Sequence, residues 1–509
     1  AAVYASEATG MNISVGRISL SFPLNLVVTD VDAASPHKDT LLSVRRLQVN
    51  VQLLPLLKKQ VEVDGISLQG ATVNSNDLIH GMRLNGTLGE LFISSHGVAL
   101  DPETAIVNKV LLKDTDLSLC LNDTAAADTA ASDTTYWKII LQDIDLQNVS
   151  FALDMPLDSL SLAASLDNAT LRDGLIDLHK SAYSLQTFRI KNGRVRYDSG
   201  RPSATASADS LSAGLDPSHI ALTDIGVKLD SLYYEGRNMK AVISQFVLKE
   251  RSGVEIVSTE GRLVSNDKVL RVPSLKLETR DSYLELNAAM DWDALDFKKE
   301  GLVSARLMAD IGKPDVVRFM GSMDEKFIRK YPSEPLRIRT GIDGDLNKLK
   351  LTTLTAELPG ALELFAKGEL TSLTDSLLRG GDITLQAETK DLKFISTLAE
   401  GIEIPYGTRL EGKFTMAGPK MGTDLLLMQP EAHAVAVADT IPITVYNDSI
   451  SVADDFKMER AARLFAKYDL SRDRYEADLA VNHFDLHQFM PADSLYTLST
   501  LSLIHISEP

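Results

Sequence analysis

Ile66-Ser67-Leu68-Gln69-Gly70-Ala71-Thr72-Val73 reads as an alternating apolar run, a residue that accepts left-handed backbone, and a second apolar run. The pattern returns as Val110-Leu111-Leu112-Lys113-Asp114-Thr115-Asp116-Leu117, as Ile144-Asp145-Leu146-Gln147-Asn148-Val149-Ser150-Phe151, and as Phe188-Arg189-Ile190-Lys191-Asn192-Gly193-Arg194-Val195. The copies start 44, 34 and 44 residues apart, within the range of repeat architectures. Alternation is the signature of a half-buried strand, and Gly, Asn or Asp between two such runs predicts a hairpin turn. A chain of this kind adds hairpins along an axis instead of wrapping one core. That points away from an enzyme and toward a long surface or groove.

The alternation extends well beyond the four copies. Leu47, Val49, Val51 and Leu53 alternate with Gln48, Asn50 and Gln52, and Leu284, Leu286, Ala288 and Met290 follow a polar turn at Thr279 to Ser282. Leu336, Ile338, Thr340 and Ile342 repeat the habit, as do Ala477, Leu479 and Val481. Helical patterning is sparse: Asp315 to Lys330 with Pro314 in the first turn, a short stretch at Lys393 to Ala399, and another at Met458 to Lys467. Asn122 to Thr135 and Arg201 to Ala213 are low in bulk and complexity and read as a mobile loop and a junction.

Composition narrows the partners. With 44% hydrophobic residues the 509-residue chain can fold, and with only 6% aromatics its apolar surface is aliphatic. A net charge of −18 disfavours nucleic acid, which needs a basic stripe, and broad docking on anionic headgroups. The single cysteine, Cys120, excludes an internal disulfide and reads as a small apolar strand residue. No apolar run approaches the ~18 residues that span a bilayer.

Motifs of catalysis do not appear: there is no GxSxG elbow, Walker loop, GxGxxG turn or HExxH helix. Gly81 to Gly86 has the length of a phosphate loop, but Thr87-Leu88 follows where lysine is needed. His483 and His487 have no identifiable third ligand. The expectation is a non-enzyme without cofactor, catalytic or metal residues. Asp-Ser/Thr-apolar or Asp-Thr-Thr triplets occur eleven times, more often than composition predicts. Two readings stand: an O-glycosylation signal, best placed at Thr124, Thr129 and Thr134, or a turn that opens a strand.

Ile13-Ser14-Val15-Gly16-Arg17-Ile18-Ser19-Leu20-Ser21-Phe22-Pro23-Leu24, Leu26 to Asp32, Asp39-Thr40-Leu41-Leu42, Leu54 to Lys59 and Val61 to Val73 resemble the periplasmic start of AsmA-like proteins of the TamB type. The likeness is specific over residues 11 to 75, and the repeat carries it to about 200. It implies a mainly β fold: an elongated repetitive sheet curled into an open hydrophobic groove (a β-taco, solenoid-like) with a few short helices. It implies the domain plan 1–200, an AsmA/TamB-like repeat region; 201–213, a junction; and 214–500, a continuing groove with helical insertions. Residues 501–509 resemble translated sequencing adapter and read as a non-native tail.

The function so implied is a periplasm-spanning bridge carrying phospholipids between inner and outer membranes, held by an N-terminal inner-membrane helix expected before residue 1. The partners are phospholipid acyl chains and, in a second reading, an outer-membrane barrel protein whose assembly the chain assists; nucleic acid is not among them. A passive β-solenoid scaffold is the third reading. The expected groove lining is Leu47, Val49, Val51, Leu53, Ile66, Leu68, Val73, Ile144, Leu146, Phe151, Ile190 and Val195. About 25 strands at ~4.8 Å would reach some 120 Å, a bridge's dimension.

Overall fold

The computed structural model describes residues 11–21, 25–35, 40–51, 63–75, 81–99, 103–122, 137–200, 214–296, 299, 301–320, 324–373, 375–398, 403–429, 461–482, 484, 488–489 and 502–507. The chain is mainly β, with 73% of the described residues in strands and 7% in helices, so alternation decides the fold class correctly. It divides into two compact units, Ala1–Asn266 and Asp267–Pro509.

The first unit holds β1 (Asn12–Ser21), β2 (Asn25–Ala34), β3 (Thr40–Val51), β4 (Val63–Asn74), β5 (Met82–Ala99), β6 (Thr104–Leu121) and β7 (Lys138–Met155). It continues with β8 (Leu160–Asp177), β9 (Ala182–Leu185), β10 (Thr187–Ser199), β11 (His219–Glu235), β12 (Asn238–Glu250) and β13 (Glu255–Ser265). Strands lie side by side in chain order, and β9 with β10 forms one interrupted strand between β8 and β11. Described pairings are antiparallel except β6 with β7, which is parallel. There Val110 faces Ile144 and Leu112 faces Leu146, so the 34-residue repeat offset is the register of this pair.

Each of the four motif copies lies inside a single strand: β4, β6, β7 and β10 respectively. The expected hairpin turns are therefore a misreading. Gly70, Asp114, Asn148 and Asn192 do adopt left-handed backbone, at φ 62°, 51°, 52° and 55°. They do so within continuing strands, as bulge residues do. The 201–213 stretch lies in the chain between β10 and β11, which pair directly (Phe188 with Leu229), and the boundary between units falls at 266/267.

The second unit holds β14 (Val269–Thr279), β15 (Tyr283–Asp291), β16 (Val303–Ile311), β17 (Leu336–Gly344), β18 (Lys348–Leu358) and β19 (Leu362–Thr371). Then come β20 (Gly380–Thr389), β21 (Arg409–Ala417), β22 (Lys420–Met428), β23 (Ala461–Asp469), β24 (Arg474–Asn482) and β25 (Ser502–Ser507). All pair antiparallel with their chain neighbours, and β25 adds an outer strand to β24. The helix read at Asp315 to Lys330 is two: α1 (Lys313–Met320) and α2 (Glu325–Lys330), the latter capped by Asp324 accepting from Lys326 N–H at 2.9 Å. Lys393 to Ala399 contributes only a 3-10 turn at Ile395–Thr397. Of the stretch read as a helix from Met458 to Lys467, the described part is strand: Ala461–Asp469 is β23, where pairing of Leu464 with Leu425 overrides a helical period.

A compact core forms at one margin of this unit. Phe327 and Tyr331 pack with Phe394 at ring separations of 5.6 and 5.1 Å, over Leu358, Ala361 and Leu392. Asp315 anchors α1 to the β14–β15 turn, accepting from Ser282 Oγ (2.6 Å), Arg318 Nη1 (2.8 Å) and Thr279 Oγ1.

Candidate functional site: a continuous aliphatic face

Register turns the scattered alternation into rows. Leu20 faces Leu26, Leu26 faces Val49, Val49 faces Ile66, and Ile66 faces Ile93. The row goes on through Val110, Ile144, Leu171, Phe188 and Leu229 to Ile243 of β12. Two residues along each strand from β1 to β11, a second row runs from Ile18 through Val28, Leu47, Leu68, Leu91 and Leu112. It continues through Leu146, Ala169, Ile190 and Val227 to Phe246. No charged residue interrupts either row.

Between the second and third rows every strand from β1 to β8, and β10, spends one residue that flips its alternation. These residues face one another: Gly16, Asp30, Arg45, Gly70, Gly89, Asp114, Asn148, Asp167 and Asn192 stand where the pairing steps over one position. Asn148 Nδ2 donates to Asp114 Oδ1 at 2.8 Å, and Asn192 Nδ2 donates to Asp167. The crease explains the motif. A face stays aliphatic across it only if apolar residues are spaced two, three, then two apart, as in Ile66, Leu68, Ala71 and Val73. Beyond it, Val31, Val44, Ala71 and Leu88 make a third row, and Leu42, Val73, Gly86, Leu117, Phe151, Ala164, Val195 and Leu222 lie in a fourth.

The expected lining residues therefore share one face. Val49, Ile66 and Ile144 lie in the first row, Leu47, Leu68, Leu146 and Ile190 in the second, and Val73, Phe151 and Val195 in the fourth. Val51 stands one step outside the first row, facing Val63. Leu53, Thr124, Thr129 and Thr134 lie outside the described residues. Sequence reading misses the crease in the strands running the other way, β1, β3, β5 and β8, because it seeks Asn, Asp or Gly at a left-handed position. Their 2-3-2 spacing (Ile13, Val15, Ile18 and Leu20; Leu42, Val44, Leu47 and Val49) was the available signal.

The opposite parity is mostly polar. Thr29, Arg46, Gln69, Glu90, Lys113, Gln147, Asn168 and Lys191 form one of its rows, and Arg172 pairs with Asp143 and Asp145 across β7 and β8. Cys120 belongs to this wet side, between Arg83 and Asp154, its Sγ 3.2 Å from Asn122 Oδ1; the apolar expectation for it does not hold. The second unit repeats the division. Leu275, Leu286, Leu307, Thr340, Leu354, Ala366 and Leu385 are successive partners on one face. The other face carries cross-strand ion pairs such as Arg339 with Asp310 (2.7 Å) and Arg463 with Asp424 (2.6 Å). The Arg306 and Ser304 hydrogen bonds hold the Asp343 carboxyl below the ordinary range.

Aliphatic side chains of the first unit are mostly half-buried, sheltered by lateral neighbours and not sealed. Among its described residues the one helical element is the 3-10 turn Pro156–Asp158, so no described helix covers the face. A concavity of ≈390 Å³ is lined in part by Leu117, Phe151, Ala164, Val195 and Leu222 of the fourth row. The crease itself is testable. At Gly70 a Cβ would stand 3.0 Å from the Arg45 side chain in a left-handed backbone, so Gly70→Ala should destabilise the first unit by about 1–2 kcal/mol. Gly70→Asn should lose less, because Asn148 and Asn192 already fill equivalent places. Chemical denaturation of the two variants gives the comparison, and equal losses would contradict the crease account.

Among the described residues no cluster of three His, Cys, Asp or Glu could hold a metal ion, and no helix is long and apolar enough to cross a membrane. A scan of protein-family models matches none to this chain, and a search of curated proteins finds no similar sequence.

Proposed function

We propose that the aliphatic face carries phospholipid acyl chains, headgroups in water, and that the chain is a bridge-like, non-enzymatic carrier between inner and outer membranes in the periplasm. The observation that supports this most is the uninterrupted aliphatic rows on a half-exposed face with no second layer among the described residues. Burying a CH₂ group contributes about 0.8 kcal/mol, so a few methylenes laid along a row are held reversibly. The resemblance of residues 11 to 75 to TamB-type AsmA-like proteins favours the same reading. Native mass spectrometry of the purified chain should find co-purified phospholipid. A lipid-free chain that also takes up none from detergent micelles would sink the proposal.

A second reading rests on β1, which forms a ladder with β2 alone among described strands and leaves Leu20 67% exposed. As a TamB-type assembly factor, the chain would add a strand of a barrel client to this edge by β-augmentation. Such a client strand needs apolar residues at 2-3-2 spacing to continue the rows. Peptides with and without that spacing, compared for binding, test it; equal binding goes against it.

A further inference from the structure

The two margins of the second unit's aliphatic face differ. At one, where β16, β18 and β20 end, α1, α2 and the 3-10 turn close over the sheet with Phe327, Tyr331 and Leu392 buried. At the other, ordered turns hold leucines out in water. Leu377 and Leu378, 75% and 70% exposed, sit in the β19–β20 connection. Asp375 Oδ1 accepts from both their N–H groups, at 2.8 and 3.2 Å. Arg379 ties the same turn to the next, its carbonyl accepting from Gly418 N–H at 2.6 Å and its Nε donating back to Gly418 O at 3.1 Å. Leu470 N–H donates to Pro419 O at 3.0 Å, which brings a further exposed leucine to the same margin.

The aliphatic face runs out to this lip without a break. Its last row there includes Leu370, Met416, Met421, Tyr468 and Tyr475, joined through Gly381. Exposed leucines on a slack loop would be unremarkable; these are fixed by hydrogen bonds, beside the open end of an apolar row. We propose that acyl chains enter and leave the second unit across this leucine lip, and not across the aromatic-capped margin. The inference rests on the acyl-carrier reading. It adds a direction of entry, for which the occupant is the lipid tail that the adjoining row would receive.

The test places a photo-crosslinking amino acid at Leu425, mid-face on β22, and follows lipid arrival from vesicles of phosphatidylethanolamine and phosphatidylglycerol. Leu377→Gln with Leu378→Gln should slow arrival about tenfold and leave the final yield unchanged, because the lip is passed in transit and not occupied at rest. Leu398→Gln, an exposed leucine beside the capped margin, should not change the rate. An unchanged rate in the lip variant, or an equal loss in Leu398→Gln, overturns the entry route while leaving the carrier reading intact. Should the wild-type face crosslink no lipid at all, the carrier reading fails and takes the lip with it. Both substitutions are at exposed side chains, and circular dichroism of each variant verifies that folding is retained.

Discussion

Replacing Asp315 by alanine should destabilise the second unit by about 3–5 kcal/mol, the range for breaking a buried ion pair from one side. Its side chain is fully buried, and it gathers Ser282, Thr279 and Arg318 onto one carboxylate at the start of α1. Arg318 would keep Asp281 at 3.1 Å, but the two turn hydroxyls would lose their acceptor. The effect carries a pH signature. Burial pushes this carboxyl up, while hydrogen bonds from Ser282, Thr279 and Arg318 outweigh it and hold the pKa below its ordinary value. A depressed folded pKa adds stability that is present above the unfolded value, about 3.9, and is lost as pH falls through the folded one. The gap between wild type and Asp315→Ala should therefore be full at neutral pH and narrow below about pH 4. Denaturation followed through Trp292 measures it. A gap that persists undiminished into acid would refute the assignment.

The second large effect is functional. Val49→Asp combined with Leu68→Asp puts two carboxylates in adjacent rows, where Val49 faces Ile66 and Leu68 faces Leu47. On an open face both can be hydrated, so the fold should survive with a melting temperature little changed. Lipid retention should fall about tenfold or more, since the charges lie where methylenes would pack. In a filled core the same substitutions would bury unpaired charge and unfold the unit. Thermal melting beside lipid crosslinking separates the cases: an unfolded variant, or a folded one that holds lipid as before, defeats the open-face account.

Much of this architecture is legible in the residues, and the failures have physical reasons. Alternation fixed the strands, and the 34-residue offset is the parallel register of β6 on β7. Asn, Asp and Gly at these places read as hairpin turns because a bulge and a turn demand the same backbone freedom. The discriminating signal was the parity of the apolar residues on either side, Leu68 and Ala71 being an odd number apart. Met458 to Lys467 reads as a helix, yet from Ala461 on it pairs between β22 and β24, contacts that a local helical period does not register. The aromatic cap was invisible for the same reason: Phe327 and Phe394 meet only once β17 to β20 have stacked between them.

The 2-3-2 spacing has one further property: it is a palindrome. Ascending and descending strands obey one rule, so the sheet has no preferred number of strands between β1 and β10. Excising β4 and β5 together would set β3 against β6, with Val49 opposite Val110, Leu47 opposite Leu112 and Arg45 opposite Asp114. Nothing would need re-registering. Such a chain behaves like a tape measure, marked at every hairpin, that can be cut or spliced at any mark and keep its scale.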